Sequence, residues 1–150
     1  RGVDRATDTR MPWAALGYET WLFDGATVVD IAPGPRLRTQ FFDGAVVEVI
    51  EPRAAIFAEH CRWSDLDRAH RVWTGPPSER ITEIGRRACL VVVGDALESA
   101  DDPARALETA ASYLAPGGEL VVKKTRALES LLPSTGLRTV RSTANFAVLT

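Results

Sequence analysis

Cysteine is scarce: two in 150 residues, Cys61 and Cys89. That excludes a disulfide framework and any cysteine-rich zinc site, and it fits a reducing compartment. No metal site is expected. Cys89 opens an apolar run and reads as a buried thiol. Lysine is scarce relative to arginine, with only Lys123 and Lys124 among 18 basic side chains. Long apolar runs are missing. None approaches the roughly 18 residues a membrane span requires, and the polar opening RGVDRATDTR has no signal-peptide core. A cytoplasmic chain with no membrane partner is the expectation. The chain opens on Arg1 and its one Met is Met11, so residues 1–10 are set apart as processed, trimmed or foreign to the fold. A field of one sign is missing as well. The net charge is −2, which argues against nucleic acid as a partner.

What remains is ordinary for a globular domain: 45% hydrophobic and 25% charged residues, in a length that suits one domain. Residues 1–24 read as an N-terminal segment with a short helix from Met11 to Asp24, packed on the domain edge. Residues 25–150 read as one domain. Apolar runs at Ala26–Ile31, Ala45–Ile50, Ala88–Gly94 and Glu119–Lys123 predict strands buried on both faces. Weaker strands are predicted at His70–Thr74, Leu37 to Phe42 makes about two turns of helix, and closing strands fall near Leu137–Arg141 and Asn145–Leu149. Between them, helices are predicted at Arg53–Arg62 (Ile56 and Phe57 inward), Ser78–Arg87, Asp102–Leu114 and Ala127–Leu132. Asp102 followed by Pro103 is a helix-start signal, and Ala115-Pro116-Gly117-Gly118 is a stop. Alternating strands and helices predict a mostly parallel sheet covered on both faces, closed by one antiparallel strand.

In open parallel sheets, ligands bind beyond the carboxyl ends of the strands, where strand order reverses. The first strand ends in Asp30-Ile31-Ala32-Pro33-Gly34-Pro35. The second ends in Glu51, 21 positions after Asp30. A carboxylate there suits the paired hydroxyls of a ribose, because it accepts two hydrogen bonds at once. With these residues in that order, the chain resembles the class I S-adenosylmethionine (SAM)-dependent methyltransferases. Asp30 to Pro35 is similar to the family's D-x-G-x-G-P, and Glu51 stands at its ribose-binding acid. Leu90–Val93 with Ala96-Leu97-Glu98 matches its fourth strand and following loop. Asp102-Pro103 and Leu114-Ala115-Pro116-Gly117-Gly118-Glu119-Leu120-Val121-Val122 match its D-P and L-x-P-G-G-x-L-V-V segments. The likeness spans about residues 25–150. Ala32 departs from the first glycine, Pro33 removes a backbone N–H, Arg36 stands at a third glycine, Cys89 at an Asp and Ser99 at a His.

The resemblance implies a three-layer α/β/α sandwich with a seven-stranded sheet in order 3-2-1-4-5-7-6, strand 7 antiparallel. It implies SAM as cofactor, with Asp30 and the Ala32, Pro33 and Gly34 backbone toward the methionine part, Glu51 toward the ribose, Thr74 and Gly75 near the adenine, and Gly94 at the fourth strand's end. Asp95 is the candidate general base, although a loop or capping role is the plainer reading of a strand-end Asp. The expected activity is methyl transfer to a small-molecule oxygen or nitrogen. The acceptor cleft is expected beyond the fourth strand, at Gly94–Ser99, flanked by Lys123 or Lys124 and by Trp13 or Tyr18. With no inserted lid, a homo- or hetero-oligomer could complete that cleft. The first alternative is a pseudo-enzyme, a non-catalytic binding or assembly subunit on the same fold. The second is RNA 2′-O-methylation, for which Asp95 and Lys123 or Lys124 could serve, but the expected last-strand Glu falls near Ala144 and the N-terminal segment offers no Lys. A nicotinamide dehydrogenase is weaker, because G-x-G-x-x-G is absent.

Overall fold

The computed structural model describes residues 11–61, 64–94 and 97–150. Seven strands run through it: β1 (Thr27–Ile31), β2 (Val46–Ile50), β3 (Arg71–Trp73), β4 (Ala88–Val93), β5 (Leu114–Lys123), β6 (Thr139–Ser142) and β7 (Phe146–Leu149). Four helices connect them: α1 (Ala54–His60), α2 (Ile81–Ile84), α3 (Pro103–Ala111) and α4 (Leu128–Thr135). Short 3-10 turns cover Arg38–Phe41, Leu66–Arg68 and Pro77–Glu79. The strands form one sheet in the order β3-β2-β1-β4-β5-β7-β6, with β7 antiparallel to both neighbours and the other pairs parallel. The expected order is therefore the observed one.

The central strands are valine-rich because both their faces are buried, and successive side chains alternate between two cores. Val29, Ile31, Val91, Val93, Leu120 and Val122 pack with Ile84, Leu107, Tyr113 and Leu128. Val28, Val47, Val49, Leu90, Val92 and Val121 pack on the opposite face with Trp13, Leu16, Tyr18, Phe23, Leu37 and Phe42. Each fully buried aliphatic side chain contributes about 1.5–3 kcal/mol, so the strand interiors are the strongest part of the molecule.

Several expectations need correcting. Residues 11–24 form turns and no helix. Gly17 sits at φ +91 and interrupts any helical run. The segment still covers one sheet face, through Trp13, Leu16, Tyr18 and Phe23, while Trp21 and Leu22 are exposed. Ile56 of α1 points to solvent, and only Phe57 packs inward. The helix expected at Ser78–Arg87 is split: Pro77 starts a 3-10 turn, Arg80 breaks it, and α2 is a single turn. Leu114 belongs to β5 and not to α3. It pairs with Ala88, and the register shifts before Leu90 meets Glu119, so Ala115–Gly118 is accommodated as an irregularity within the strand. Cys89 is half-buried at the margin of the second core, not enclosed. Asp102 does cap α3, its Oδ1 accepting from Arg105 N at 3.2 Å.

Candidate functional site

Strand order reverses between β1 and β4, which are neighbours although β2 and β3 lie between them in sequence. The carboxyl ends of these two strands carry Asp30-Ile31-Ala32 and Val93-Gly94. The parallel register sets Asp30 beside Val92 and Ile31 beside Val93. Asp30 is fully buried on the face shared by Val28 and Val92. Burial pushes its carboxyl above the usual carboxylate range, against the opposing pull of Arg38 and Thr39.

Arg38 is the residue that sequence reasoning missed. It lies in the 3-10 turn after β1, a stretch with no motif to mark it. Its Nη2 pairs with Asp30 Oδ1 and also donates to Ile31 O at 3.2 Å. Thr39 Oγ1 donates to Asp30 Oδ2 at 3.2 Å. Arg38 Nη1 lies against Gly94, where any Cβ would collide with it. The guanidinium thus bridges the ends of β1 and β4 and uses space that only glycine leaves. Trp13 Nε1 donates to Arg38 O at 3.1 Å, so the N-terminal segment fixes the turn that carries it.

Like Asp30 and Glu48, Glu51 is a buried acid; it is 1% exposed. Its Oε1 accepts from Gly34 N at 2.8 Å and its Oε2 from Arg53 N at 2.9 Å. It therefore ties the loop after β1 to the turn after β2. Ala32 occupies φ 51, the left-handed region that glycine accepts freely. Its N–H donates to Ile50 O at 2.8 Å, which anchors the strained residue to β2. Replacing glycine here is mild only at negative φ, so Ala32 carries strain. Pro33 follows without an N–H to offer. Thr74 and Gly75 follow β3, and Thr74 O accepts from Arg80 Nε at 3.0 Å.

The structure thus brings Asp30, Ala32, Gly34, Glu51 and Gly94 together at the strand ends, with Thr74 and Gly75 at the end of β3. Asp95 lies outside the described residues, as do Ala96, Arg62 and Trp63. Beyond β4, Lys123 Nζ lies 3.9 Å from Glu98 Oε2, at the end of β5. Tyr18 does not flank that region. Its hydroxyl donates to Glu119 Oε1 at 2.8 Å, four residues before Lys123 on β5, and its ring lies under the Arg141 guanidinium. Trp13 is buried behind Arg38, and Trp21 is 63% exposed. A separate polar groove of about 480 Å³ runs beside α3, lined by Ser78, Asp102, Arg105 and Glu108. Among the described residues no helix is long and apolar enough to cross a membrane, and no cluster of His, Cys, Asp or Glu is arranged to hold a metal ion.

No family model matches the sequence, and no curated protein sequence matches it. Solved structures do. The N-methyltransferase NodS from Bradyrhizobium japonicum matches with a TM-score of 0.64 at 16% identity, over 99% of this chain and 93% of that one. The 1,6-didemethyltoxoflavin-N1-methyltransferase from Burkholderia thailandensis, with bound 1,6-didemethyltoxoflavin and S-adenosylhomocysteine, matches with a TM-score of 0.60 at 20% identity, over 99% of this chain and 80% of that one. The O-methyltransferase NcsB1 of neocarzinostatin biosynthesis, in complex with S-adenosylhomocysteine and 1,4-dihydroxy-2-naphthoic acid, matches with a TM-score of 0.63 at 19% identity. That match covers 93% of this chain and 51% of NcsB1, so the chain spans about half the length of that enzyme. The chain has the class I SAM-dependent methyltransferase fold, as its sequence resemblance implied.

Proposed function

We propose that the chain takes part in methyl transfer from SAM to an oxygen or nitrogen of a small-molecule acceptor. The observation that carries this reading is the pair of buried carboxylates, Asp30 and Glu51, at the ends of β1 and β2 beside the point where strand order reverses. Glu51 fits ribose hydroxyls chemically: each of its oxygens accepts one backbone N–H and keeps a further lone pair. Gly94 leaves room at the end of β4 that the Arg38 guanidinium occupies. The SAM cofactor would be held by Asp30, the Ala32–Gly34 backbone, Glu51, and the Thr74–Gly75 turn.

When bound, SAM supplies a sulfonium methyl group to a nucleophile. Such a transfer needs chiefly in-line placement of the acceptor, so Asp95 is a candidate base and not a requirement. The acceptor is assigned to the region beyond β4, between the 94–99 loop and Lys123. A small acceptor is favoured by the net charge of −2 and by the naphthoic acid and toxoflavin compounds bound in two of the matched structures. A second subunit completing the cleft, and a cytoplasmic location, belong to the same proposal.

The test is calorimetric titration of the chain with SAM, followed by transfer of labelled methyl to a panel of hydroxy- and amino-arenes. Micromolar binding with label transferred supports the enzyme. A second reading, a non-catalytic binding or assembly subunit, is favoured by the Arg38 guanidinium standing between β1 and β4. Absence of SAM binding up to millimolar concentration, with a stable co-purifying partner, would select it.

A further inference from the structure

Of the 18 basic residues only Lys123 and Lys124 are lysines, and they are adjacent. They stand where β5 ends beside β4. Val93 pairs with Val122, so Lys123 is the next residue out, level with Gly94. The segment is held from its other side as well: Lys123 pairs with Phe146 of β7, and Lys124 N donates to Asn145 O at 2.7 Å. Successive side chains leave a strand on opposite faces, and Lys123 is the one that meets the loop after β4. Its Nζ lies 3.9 Å from Glu98 Oε2, with the two side chains 45% and 58% exposed. We propose that Lys123 recognises the methyl acceptor, that the acceptor is a small organic carboxylate, and that Glu98 is a resting counterion which the acceptor's carboxylate displaces.

Lys123 in this role narrows the methyl-transfer reading, on which the assignment rests. A backbone fixed from both sides presents the ammonium at a set place, on a flexible stem that turns toward a ligand. An ion pair this long and this open to water is weak, so its members exchange partners at little cost. Glu98 also shows which chemistry the ammonium meets there, a single carboxylate. The exchange leaves the charge at Lys123 balanced: one carboxylate replaces another, and the Glu98 side chain, already more than half exposed, returns to water. A dianionic phosphate would call for a second cation on the same face, whereas Lys124 projects from the opposite one. The nucleophilic hydroxyl or amine is then carried elsewhere on the acceptor, at a distance from the carboxylate that Lys123 sets.

With two lysines in the chain, carbon-13 reductive methylation, which keeps the ammonium charge, gives two lysine signals beside that of the amino terminus. Lys123→Met and Lys124→Met assign them. The chain, first shown by calorimetry to bind S-adenosylhomocysteine and then saturated with it, is titrated with hydroxybenzoates and aliphatic hydroxy acids, with their matching amides, and with sodium chloride. At least one carboxylate is expected to shift the Lys123 signal to saturation and to bind at least about fivefold more tightly than its amide. Lys123→Met should abolish that preference, and Glu98→Gln, which removes the competing charge, should tighten carboxylate binding severalfold. Amides that bind as well as the acids, chloride that shifts the Lys123 signal as far at equal concentration, or a preference that survives in Lys123→Met overturns the role of Lys123. Weaker carboxylate binding in Glu98→Gln overturns Glu98 as the displaced counterion. S-adenosylhomocysteine binding with no carboxylate bound overturns the carboxylate assignment and leaves the cofactor reading standing. Absence of S-adenosylhomocysteine binding overturns that reading, and the role of Lys123 with it.

Discussion

Glu51 joins the fold to the proposed site, and removing its carboxylate should disturb both by separable amounts. The side chain is 1% exposed and accepts two backbone N–H groups, from Gly34 at 2.8 Å and Arg53 at 2.9 Å. A hydrogen bond to a charged group contributes about 1.5–3 kcal/mol. In Glu51→Ala, the N–H of Arg53, on an exposed turn, regains water, so its bond is largely replaced. The Gly34 N–H lies in a half-buried loop and loses most of its bond, and the buried stem leaves a small void. The sum is a loss of about 2–4 kcal/mol. For a chain of this size each kcal/mol moves the unfolding midpoint by about 2–4 °C, which places the expected drop at roughly 4–16 °C in differential scanning calorimetry. Below the new midpoint, SAM affinity should fall by a further 1.5–3 kcal/mol, about 10- to 150-fold by titration. A midpoint within a degree of wild type would refute the structural argument. An unchanged SAM dissociation constant would refute the ribose assignment and leave the structural argument intact.

Ala32→Gly should raise stability by about 0.5 kcal/mol: release from φ 51 returns about 1–2 kcal/mol, and greater unfolded-state freedom with the lost methyl contact takes back most of it. A lowered denaturation midpoint would show that Ala32 carries no strain. Asp102→Ala should cost about 1 kcal/mol by removing the cap on Arg105 N, read as a lower urea midpoint with an unchanged slope. Burial pushes the Glu119 carboxyl up, but hydrogen bonds from Arg141 and Tyr18 outweigh it and hold the group below its ordinary value. Its contribution is therefore present above the ordinary carboxylate range and lost as pH falls through its folded value. Thermal unfolding from pH 6 to pH 2 should lose less stability in Glu119→Gln than in wild type, and parallel acid limbs would count against that coupling.

The strand framework was legible in the sequence because it rests on local pattern. Continuous runs such as Ala88–Val93 have no polar face to expose, so they must be covered on both sides, and the Asp102-Pro103 start of α3 is a matter of backbone hydrogen bonding within one turn. The carboxylates Asp30 and Glu51 were legible for the same reason, since Asp30 interrupts an apolar run near its end and Glu51 directly follows one. What the chain order leaves open is which groups meet across the sheet. Residues 11–24 form turns because Gly17, at φ +91, interrupts the helical run expected there, yet their aromatic side chains close the second core because Trp13 and Tyr18 find partners at Arg38 and Glu119, far along the chain. Arg38 itself carries no signature. Its charge becomes part of the site only because folding places β1 beside β4, pairs it with the buried Asp30, and leaves at Gly94 a space without a side chain. Burial and charge pairing of this kind are properties of the assembled sheet, so the acids could be named from the sequence, while their net charge was decided by the tertiary structure.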